Sequence, residues 1–165
     1  MSRPTSSSDS LTVYLAGAIE YAPDNGCAWR EELTRFLEGE LGHAVFNPCL
    51  EENHVLTPEE FRHFRTWKRT DLPRFRQTVR KIIHTDLHTL LNRIDYIVCL
   101  WDEYVLQGAG THGELTLAFW HGIPVYMVSH IPVDQMSSWI IGCTTELFTD
   151  FEALKAFLRQ QYGQP

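Results

Sequence analysis

The sequence YIVCLW at residues 96–101 decides the fold class. All six side chains are apolar or aromatic, so the run lacks the alternation expected of a strand with one face in water. Its β-branched and aromatic residues favour a strand over a helix. Asp95 precedes the run and Asp102 follows it. The stretch therefore predicts a parallel strand that is buried on both faces.

Strand-like and helical runs alternate on both sides of this segment. Further strands are expected at residues 11–16, 43–48, 123–128 and 145–148. Helices are expected at 29–41, from Thr57, from Pro73, at 111–120 and from Thr149 or Asp150 to about 161, with a loop and short helix at 132–141. This alternation predicts an α/β fold with a five-stranded, mainly parallel sheet and helices on both faces.

The carboxyl ends of the predicted strands indicate where a ligand would bind. In open parallel sheets, ligands occupy the crevice beyond those ends. The residues found there are Gly17 and Ala18, Asn47, Asp102 and Glu103, and Ser129 and His130.

The length and composition indicate one ordinary globular domain. The chain has 165 residues, 44% hydrophobic and 21% charged, and we expect residues 11–162 to form a single domain. Residues 1–10 are polar and serine-rich, which predicts an unfolded tail and no signal peptide. No run of about 18 apolar residues exists, so no membrane span is expected. A cytoplasmic location with reduced thiols is predicted, because no C-x-x-C pair occurs among Cys27, Cys49, Cys99 and Cys143.

The charge is distributed unevenly along the chain. The net charge of −7 argues against general nucleic-acid binding. Residues 62–81 nevertheless contain eight bases and one acid, a net charge of +7 that leaves −14 for the rest of the chain. This basic segment is interpreted as a solvated helical face, or as a patch for a phosphate or for an acidic surface of a neighbouring subunit.

A glycine-rich loop follows the central strand in the sequence QGAGTHGEL, residues 107–115. Its glycines match the dinucleotide fingerprint G-x-G-x-x-G, but six residues separate them from the strand, and the next strand ends without an acid. A second interpretation places Thr111 at a helix N-cap and Glu114 in the first turn. The positive end of the helix would then keep that carboxylate ionised, while Gly110 and Gly113 would let a ligand approach the backbone.

Two other acids are expected near Glu114. Asp86 lies late in the helix before the central strand, and Asp102 stands at that strand's carboxyl end. Two carboxyl groups in different environments are what glycosidic chemistry requires, one ionised for attack and one placed to pass a proton. His84 and His88 flank Asp86, but Asp86 would point away from the histidine face, so no metal site is predicted.

The sequence resembles the nucleoside 2-deoxyribosyltransferase family and its N-glycoside hydrolase relatives. The matching segments are VYLAGAI, DLHTLLNRIDYIVCLWDE and GAGTHGELTLAFWHGIPVY, in register over about residues 13–128. The resemblance implies a flavodoxin-like, Rossmann-like domain that cleaves N-glycosidic bonds of (2′-deoxy)ribonucleosides, with no metal or organic cofactor. A nucleoside or nucleotide is the implied small-molecule ligand.

The resemblance also implies roles for individual residues. Glu114 matches the nucleophile that forms a covalent glycosyl-enzyme, Asp86 the acid that holds sugar hydroxyls and orients the nucleophile, and Asp102 the acid that protonates or binds the base. The implied substrate-binding residues are Tyr14, Gly17, Gly110, Thr111, His112, Asp134 and Met136. The segment of residues 134–137 resembles a loop that reaches a neighbouring subunit's site, which implies a homo-oligomer with sites at subunit interfaces.

Three functions remain open at this stage. The family resemblance favours transfer of a deoxyribosyl group to another base. The chain departs from the family in its long basic segment and in the sequence QYGQP after residue 160, which leaves hydrolysis of a nucleoside 5′-monophosphate as an alternative. A non-catalytic nucleotide-sensing domain is the third possibility.

Overall fold

A parallel sheet of five strands forms the centre of the fold. The computed structural model describes residues 10–163. The strands are β1 (Thr12–Ala16), β2 (Ala44–Phe46), β3 (Tyr96–Trp101), β4 (Val125–Ser129) and β5 (Glu146–Phe148). Their order is β2-β1-β3-β4-β5, and each neighbouring pair is parallel. The prediction of a flavodoxin-like α/β fold is confirmed, and the six residues of β3 are all buried.

Helices cover both faces of the sheet. They are α1 (Cys27–Leu41), α2 (Pro48–Val55), α3 (Pro58–Thr70), α4 (Leu72–Arg93), α5 (Gly110–Trp120), α6 (Ser138–Cys143) and α7 (Phe151–Tyr162), with 3₁₀ turns at Val105–Gln107 and Val133–Gln135. On one face, Leu90, Leu115 and Ile140 from α4, α5 and α6 pack together with Tyr14 and Cys99. On the other face, α1 and α7 pack against alternate residues of the same strands, including Val13, Leu15, Tyr96 and Val98.

The helix boundaries follow the local signals in the sequence. Thr57 forms a capping box with Glu60 at the start of α3, as predicted. Gly42 ends α1 in a left-handed conformation with φ 67°. Asp150 caps α7 through a hydrogen bond from the amide of Ala153, of 2.8 Å.

Helix α2 is absent from the sequence prediction, which extended the second strand to residue 48. The strand ends at Phe46, and the Asn47 side chain accepts a hydrogen bond from the amide of Cys49, of 3.1 Å. Pro48 then occupies the first helical position, where its missing N–H is not needed. The prediction was wrong here because Asn-Pro can end a strand and can also start a helix, and the pair was interpreted only as the end of the strand.

The basic segment folds as an antiparallel helix pair, α3 and α4, with a small core of its own. Leu56, Phe64 and Trp67 are buried in it, and Phe75 and Ile82 pack against them. The charged side chains therefore lie on the outside of a folded element, which agrees with the interpretation as a solvated helical face.

Several expectations concern the chain as a whole. The predicted tail at residues 1–10 lies outside the described residues except for Ser10. Within residues 10–163, no helix combines the length and the apolar composition needed to cross a bilayer. All four cysteines are free.

Gly26 and Gly39 provide a matched test of this fold. Gly26 precedes α1 with φ 69°, and an added Cβ would overlap the Arg30 side chain and the carbonyl oxygen of Ala18. Gly39 lies on the exposed side of α1, where an added Cβ meets nothing within 4 Å. We expect Gly26→Ala to lower the free energy of unfolding by more than about 1 kcal/mol, and Gly39→Ala to raise it by roughly 0.5–1 kcal/mol. Urea denaturation measures both, and equal effects would contradict the geometry.

Candidate active site

Glu114 is held by a hydrogen bond from the first strand. The Tyr14 hydroxyl donates to Oε1 of Glu114 over 2.6 Å, and the two residues are 100 positions apart in the chain. Burial and the neighbouring Glu114 charge keep the pKa of Tyr14 well above its ordinary value. Tyr14 therefore retains its proton and acts as the donor. Tyr14 is fully buried and its hydroxyl positions Glu114; its place in a substrate pocket stays a prediction.

The position of Glu114 in α5 differs from the predicted one. The helix begins at Gly110, and its N-cap, Ala109, makes no side-chain hydrogen bond. Thr111 is therefore inside the helix and buried, so the prediction that it forms the N-cap was wrong. Glu114 is the fifth helical residue and not part of the first turn, where the helix dipole acts most strongly.

Two groups favour the ionised form of Glu114 against its burial. Removal of the carboxyl group from water raises the pKa of Glu114, while the Tyr14 hydrogen bond and the positive charge of Arg30 lower it. Burial is the largest of these effects. The remaining carboxylate oxygen, Oε2, makes no hydrogen bond within residues 10–163.

Arg30 supplies a buried positive charge beneath the site. Its side chain is 0% exposed, and its guanidinium donates to the backbone carbonyls of Leu15, Gly17, Ala18 and Gly26. These carbonyls belong to the end of β1 and the loop that follows it. Arg30 therefore orders that loop and places a cation whose charge acts on Glu114, and within residues 10–163 it forms no ion pair with a carboxylate.

Gly17 allows this close packing at the end of β1. A Cβ at Gly17 would lie 3.0 Å from a ring carbon of Trp29 and 3.3 Å from the carbonyl oxygen of Leu100. A Cβ at Gly110 or Gly113 would meet nothing within 4 Å. The glycine loop therefore leaves open space near α5, as a ligand would require.

Asp86 is the second carboxyl group of the site. It is half-buried on α4, about two turns before the helix ends. Burial, followed by the charges of Glu114, Glu52 and Glu51, raises the pKa of Asp86 to about 8. At neutral pH this favours the protonated form of Asp86, and burial raises the pKa of Glu114 as well, against the smaller opposing effects of the Tyr14 hydrogen bond and Arg30.

Glycosidic chemistry needs one carboxyl group for attack and a second one that passes a proton. Like charges at close range cannot both ionise easily, so one carboxyl group of such a pair keeps its proton. The site brings together two carboxyl groups, Glu114 and Asp86, and burial is the largest cause that raises the pKa of each. The family resemblance implied that Asp102, and not Asp86, protonates or binds the base.

Asp102 is used by the backbone in this structure. Its Oδ1 accepts hydrogen bonds from the amides of Tyr104 and Val105, of 3.1 and 3.2 Å. It thus starts the 3₁₀ turn at Val105–Gln107. One oxygen, Oδ2, makes no hydrogen bond within residues 10–163, so Asp102 retains one acceptor at the carboxyl end of β3.

His112 packs against the sheet. Its ring makes an edge-to-face contact with Trp101, with centroids 4.9 Å apart. Nδ1 of His112 and Nε1 of Trp101 are both buried without a hydrogen-bond partner among the described residues. The geometry supports a packing role for the ring, and a contact of His112 with a base or a phosphate stays a prediction.

The two predicted site residues in the loop after β4, Asp134 and Met136, differ in their exposure to solvent. Asp134 is exposed in the 3₁₀ turn Val133–Gln135. Met136 is buried in the same core cluster as Tyr14 and Leu115, and the Ser129 hydroxyl lies 3.5 Å from its sulfur. Substrate binding by Asp134 and Met136 stays a prediction.

Three residues of the site were not predicted from the sequence. These are Arg30, Glu52 and Arg65. The Nη2 atom of Arg65 lies 3.2 and 3.1 Å from the two carboxylate oxygens of the buried Glu52. Arg30 had one usable signal, since it lies on the same side of α1 as the apolar residues Leu33 and Leu37. Glu52 and Arg65 had none, because α2 was not predicted.

Two side chains of the basic segment reach outside the helix pair of α3 and α4. Arg65 and Lys68 form ion pairs with Glu52 on α2 and Glu20 in the loop after β1. Arg74 and Lys81 pair with Glu59 and Glu60 on α3 itself. Lys68 also donates to the hydroxyl of Tyr21, over 3.3 Å. Tyr21 lies in the loop after β1 and borders Gly108, so Lys68 stands at the rim between two loops at the carboxyl edge of the sheet.

No metal cluster is evident in the described part of the chain. Within residues 10–163, no three His, Cys, Asp or Glu side chains are grouped as metal ligands would be. His84 and His88 stack on each other, with ring centroids 6.0 Å apart.

The raised pKa of Asp86 predicts how the free energy of unfolding changes with pH. Its value of about 8 lies above the ordinary value of 3.8, so the folded state binds a proton that the unfolded state releases. This contribution is complete below pH about 4 and is lost as pH rises towards about 8. We expect Asp86→Asn to flatten the fall in stability over this range and, at pH 8.5, to exceed wild type by roughly 1–3 kcal/mol, after allowance for partial exposure.

Urea denaturation between pH 5 and pH 8.5 measures this difference. Glu38→Gln, at an exposed position on α1, is the control and should follow the wild-type curve. Parallel curves for wild type and Asp86→Asn would show that Asp86 is ionised throughout.

Comparison with known proteins identifies the fold. No protein-family model and no curated protein matches the sequence. Among solved structures, the chain is similar to the CMP N-glycosidase of Clostridium botulinum, with a TM-score of 0.54 and 16% sequence identity. The match covers 91% of this chain and 98% of that chain. At this identity the likeness establishes a shared fold over nearly the whole length of both proteins.

Proposed function

We propose that the protein hydrolyses the N-glycosidic bond of a nucleoside 5′-monophosphate, giving a free base and a sugar phosphate. The observation that carries this proposal is the hydrogen bond by which Tyr14 holds the half-buried carboxyl group of Glu114, with the charge of Glu114 acting on the second carboxyl group, Asp86. The shared fold with a CMP N-glycosidase supports the choice of a nucleotide and of hydrolysis. Transfer of the sugar to a second base would begin with the same step.

In the first step, Glu114 acts as the nucleophile. Its Oε2, which Tyr14 does not occupy, attacks the anomeric carbon C1′. A C1′–O bond forms, the C1′–N bond breaks, and the electron pair of that bond goes to the base. Asp86 donates its proton to the departing base and becomes ionised. Asp102 contributes its free oxygen to hold the base at the end of β3.

In the second step, water releases the sugar. Asp86, now a carboxylate, accepts a proton from water as the water oxygen attacks C1′. The bond from C1′ to Glu114 breaks, and its electron pair returns to the Glu114 carboxylate. One water molecule is consumed overall and both carboxyl groups regain their starting states. Two displacements at C1′ give net retention of configuration.

We place the 5′-phosphate of the substrate beside Lys68, between the loop after β1 and the loop that contains Gly108. This ammonium group contacts Glu20 and Tyr21 in the loop after β1, and 43% of its side chain is exposed. A monoester phosphate in this position would form a charge-assisted hydrogen bond with it. Faster cleavage of monophosphates than of the matching nucleosides would support this placement.

Activity against a substrate panel tests the proposal. Wild-type protein is incubated with ribo- and deoxyribonucleosides and their 5′-monophosphates, and released base is measured by chromatography. We expect Glu114→Ala and Glu114→Gln to lower base release by at least about 1,000-fold, because no covalent intermediate can form. Circular dichroism spectra like that of wild type should show that both variants remain folded.

The products separate the three candidate functions. Free base and sugar phosphate from a monophosphate support the proposal. A new nucleoside in the presence of an added base indicates deoxyribosyl transfer. Binding of nucleotides without turnover in wild type indicates a sensing domain. Near-wild-type turnover in either Glu114 variant shows that Glu114 is not the nucleophile.

We further propose that the protein is a homodimer through the outer face of α5 and α6. A groove of about 730 Å³ lies there, lined mainly by apolar side chains. Trp120 is 80% exposed and Trp139 is 67% exposed. Large exposed apolar patches mark interaction sites. Glu114, whose carboxyl group is buried, is the one Asp, Glu, Lys or Arg residue in these two helices, so two copies can face each other without repulsion between like charges.

The proposed interface adjoins the catalytic side chain. His112 and Gly113 line the groove, and Glu114 follows them directly in α5. We expect Trp139→Asp to convert the dimer to a monomer, because it buries a charge in an apolar contact. Sedimentation velocity measures the change. Leu50→Asp, at a site 59% exposed on α2, is the control. A monomeric wild-type protein contradicts this proposal.

A further inference from the structure

We propose that Cys27 and Cys49 form a reversible disulfide when the protein meets hydrogen peroxide, and that this bond ties the loop after β1 to α2. Cys27 is the first residue of α1, and Cys49 is the second residue of α2. The inference goes beyond the proposed function and does not depend on it, since neither thiol takes part in cleavage of the glycosidic bond.

The two thiols lie side by side, although they belong to different helices. A side-chain hydrogen bond joins Cys49 to Cys27. The Sγ atom of Cys49 also lies 3.2 Å from the carbonyl oxygen of Asn25, which is two residues before Cys27. Two cysteine side chains in contact need only small movements to form an S–S bond, whose length is about 2.0 Å.

Local hydrogen bonds fix the backbone on both sides of this pair. Before α1, Asn25 is left-handed with φ 55°, and the amide of Cys27 donates to the carbonyl oxygen of Asp24 over 3.2 Å. In α2, the side chain of Asn47 accepts a hydrogen bond from the amide of Cys49, of 3.1 Å. Both thiols therefore project from ordered helix starts, which keeps them together in the reduced protein.

Exposure separates this pair from the other two cysteines. Cys27 and Cys49 are half-buried, so a small oxidant reaches both sulfur atoms. Cys99 is 0% exposed and Cys143 is 6% exposed, and both side chains belong to the core on one face of the sheet. Oxidation by a peroxide in water is therefore expected at Cys27 and Cys49 only.

The surroundings of the pair favour thiol chemistry at Cys27. Reactive cysteines lie at helix N-termini, near a cation and partly exposed. Nη1 of Arg30 donates to the carbonyl oxygen of Gly26, directly before Cys27, over 2.9 Å. The charge of Arg30 also acts on Cys49, but burial outweighs it and raises the pKa of Cys49 to about 11. Cys49 therefore keeps its proton at neutral pH, and we assign it as the second thiol to react.

The reaction has two steps and yields two water molecules. Cys27 loses its proton and its sulfur attacks one oxygen of hydrogen peroxide. The O–O bond breaks, and a sulfenic acid forms on Cys27 while the released hydroxide takes up a proton. The sulfur of Cys49 then attacks the sulfur of Cys27, so that the S–S bond forms, the S–O bond breaks and the hydroxide leaves with the Cys49 proton as water. The two thiols lose two electrons, and the peroxide gains them.

The disulfide would join two elements that border the candidate active site. The loop after β1 carries Glu20 and Tyr21, which contact Lys68, and it ends at Gly26, directly before Cys27. Once Cys27 is bonded to α2, the end of this loop cannot move away from that helix. Local opening of the loop, which exposes its amides to exchange with water, then becomes rarer.

Thiol counting in denaturant tests the inference on wild-type protein and needs no variant. We expect four free thiols per chain after dithiothreitol and two after a short treatment of the folded protein with hydrogen peroxide. The mass should fall by about 2 Da, the two hydrogen atoms lost, and the peptides that contain Cys27 and Cys49 should be joined. Dithiothreitol should then restore all four thiols.

Three results of this experiment would overturn the inference. They are four thiols at unchanged mass, a link that involves Cys99 or Cys143, and addition of oxygen to either half-buried cysteine without a link.

The variants Cys27→Ser and Cys49→Ser are a matched pair that tests the order of the two steps. In Cys49→Ser the second thiol is missing, so we expect the sulfenic acid on Cys27 to persist and to react with dimedone. Cys27→Ser should take up little dimedone, because Cys49 remains protonated. Equal labelling of the two variants would overturn the assignment of Cys27 as the first thiol to react.

Hydrogen exchange measures the effect of the bond on the loop. The amides of residues 18–26 should exchange several-fold more slowly in oxidised than in reduced wild-type protein. The same peroxide treatment should leave their exchange unchanged in Cys27→Ser, which cannot form the bond. Equal rates in the oxidised and reduced wild-type protein would show that the disulfide does not tie the loop to α2.

Discussion

The hydrogen bond between Tyr14 and Glu114 is the contact on which the site depends. It joins the first strand of the sheet to the helix after the third strand, across 100 residues of sequence. Both groups are taken out of water, so the carboxylate needs the hydroxyl proton and the charge of Arg30 to remain ionised. The parallel sheet makes this possible, because β1 and β3 are neighbours and both end at the same edge. Asp86 completes the arrangement by holding a proton beside Glu114.

The surrounding helices control how charge is distributed around this contact. Arg30 is anchored by four backbone carbonyls and so cannot pair fully with any acid. Arg65 instead pairs directly with Glu52.

Much of the fold could be predicted because its signals are local. The buried run at residues 96–101, the capping residues Thr57 and Asp150 and the stop at Gly42 each act within a few positions of the chain. Glu114 and Asp86 could be singled out from their places near strand ends and from the family resemblance. Helix α2 was missed because Asn-Pro can both end a strand and start a helix. Arg65 could not be predicted, since its partner Glu52 is brought to it by α2.

The proposed mechanism requires that Glu114 form a covalent bond to the sugar. A 2′-fluoro nucleoside 5′-monophosphate whose base is a good leaving group tests this directly. The fluorine slows both displacements at C1′, and the good leaving group restores the rate of the first one only, so the glycosyl-enzyme should accumulate. Intact mass spectrometry should show one added fluoro-sugar phosphate per chain, and fragmentation should place it on Glu114. Slow hydrolysis of this substrate with no added mass, or an adduct on any other residue, would contradict the account.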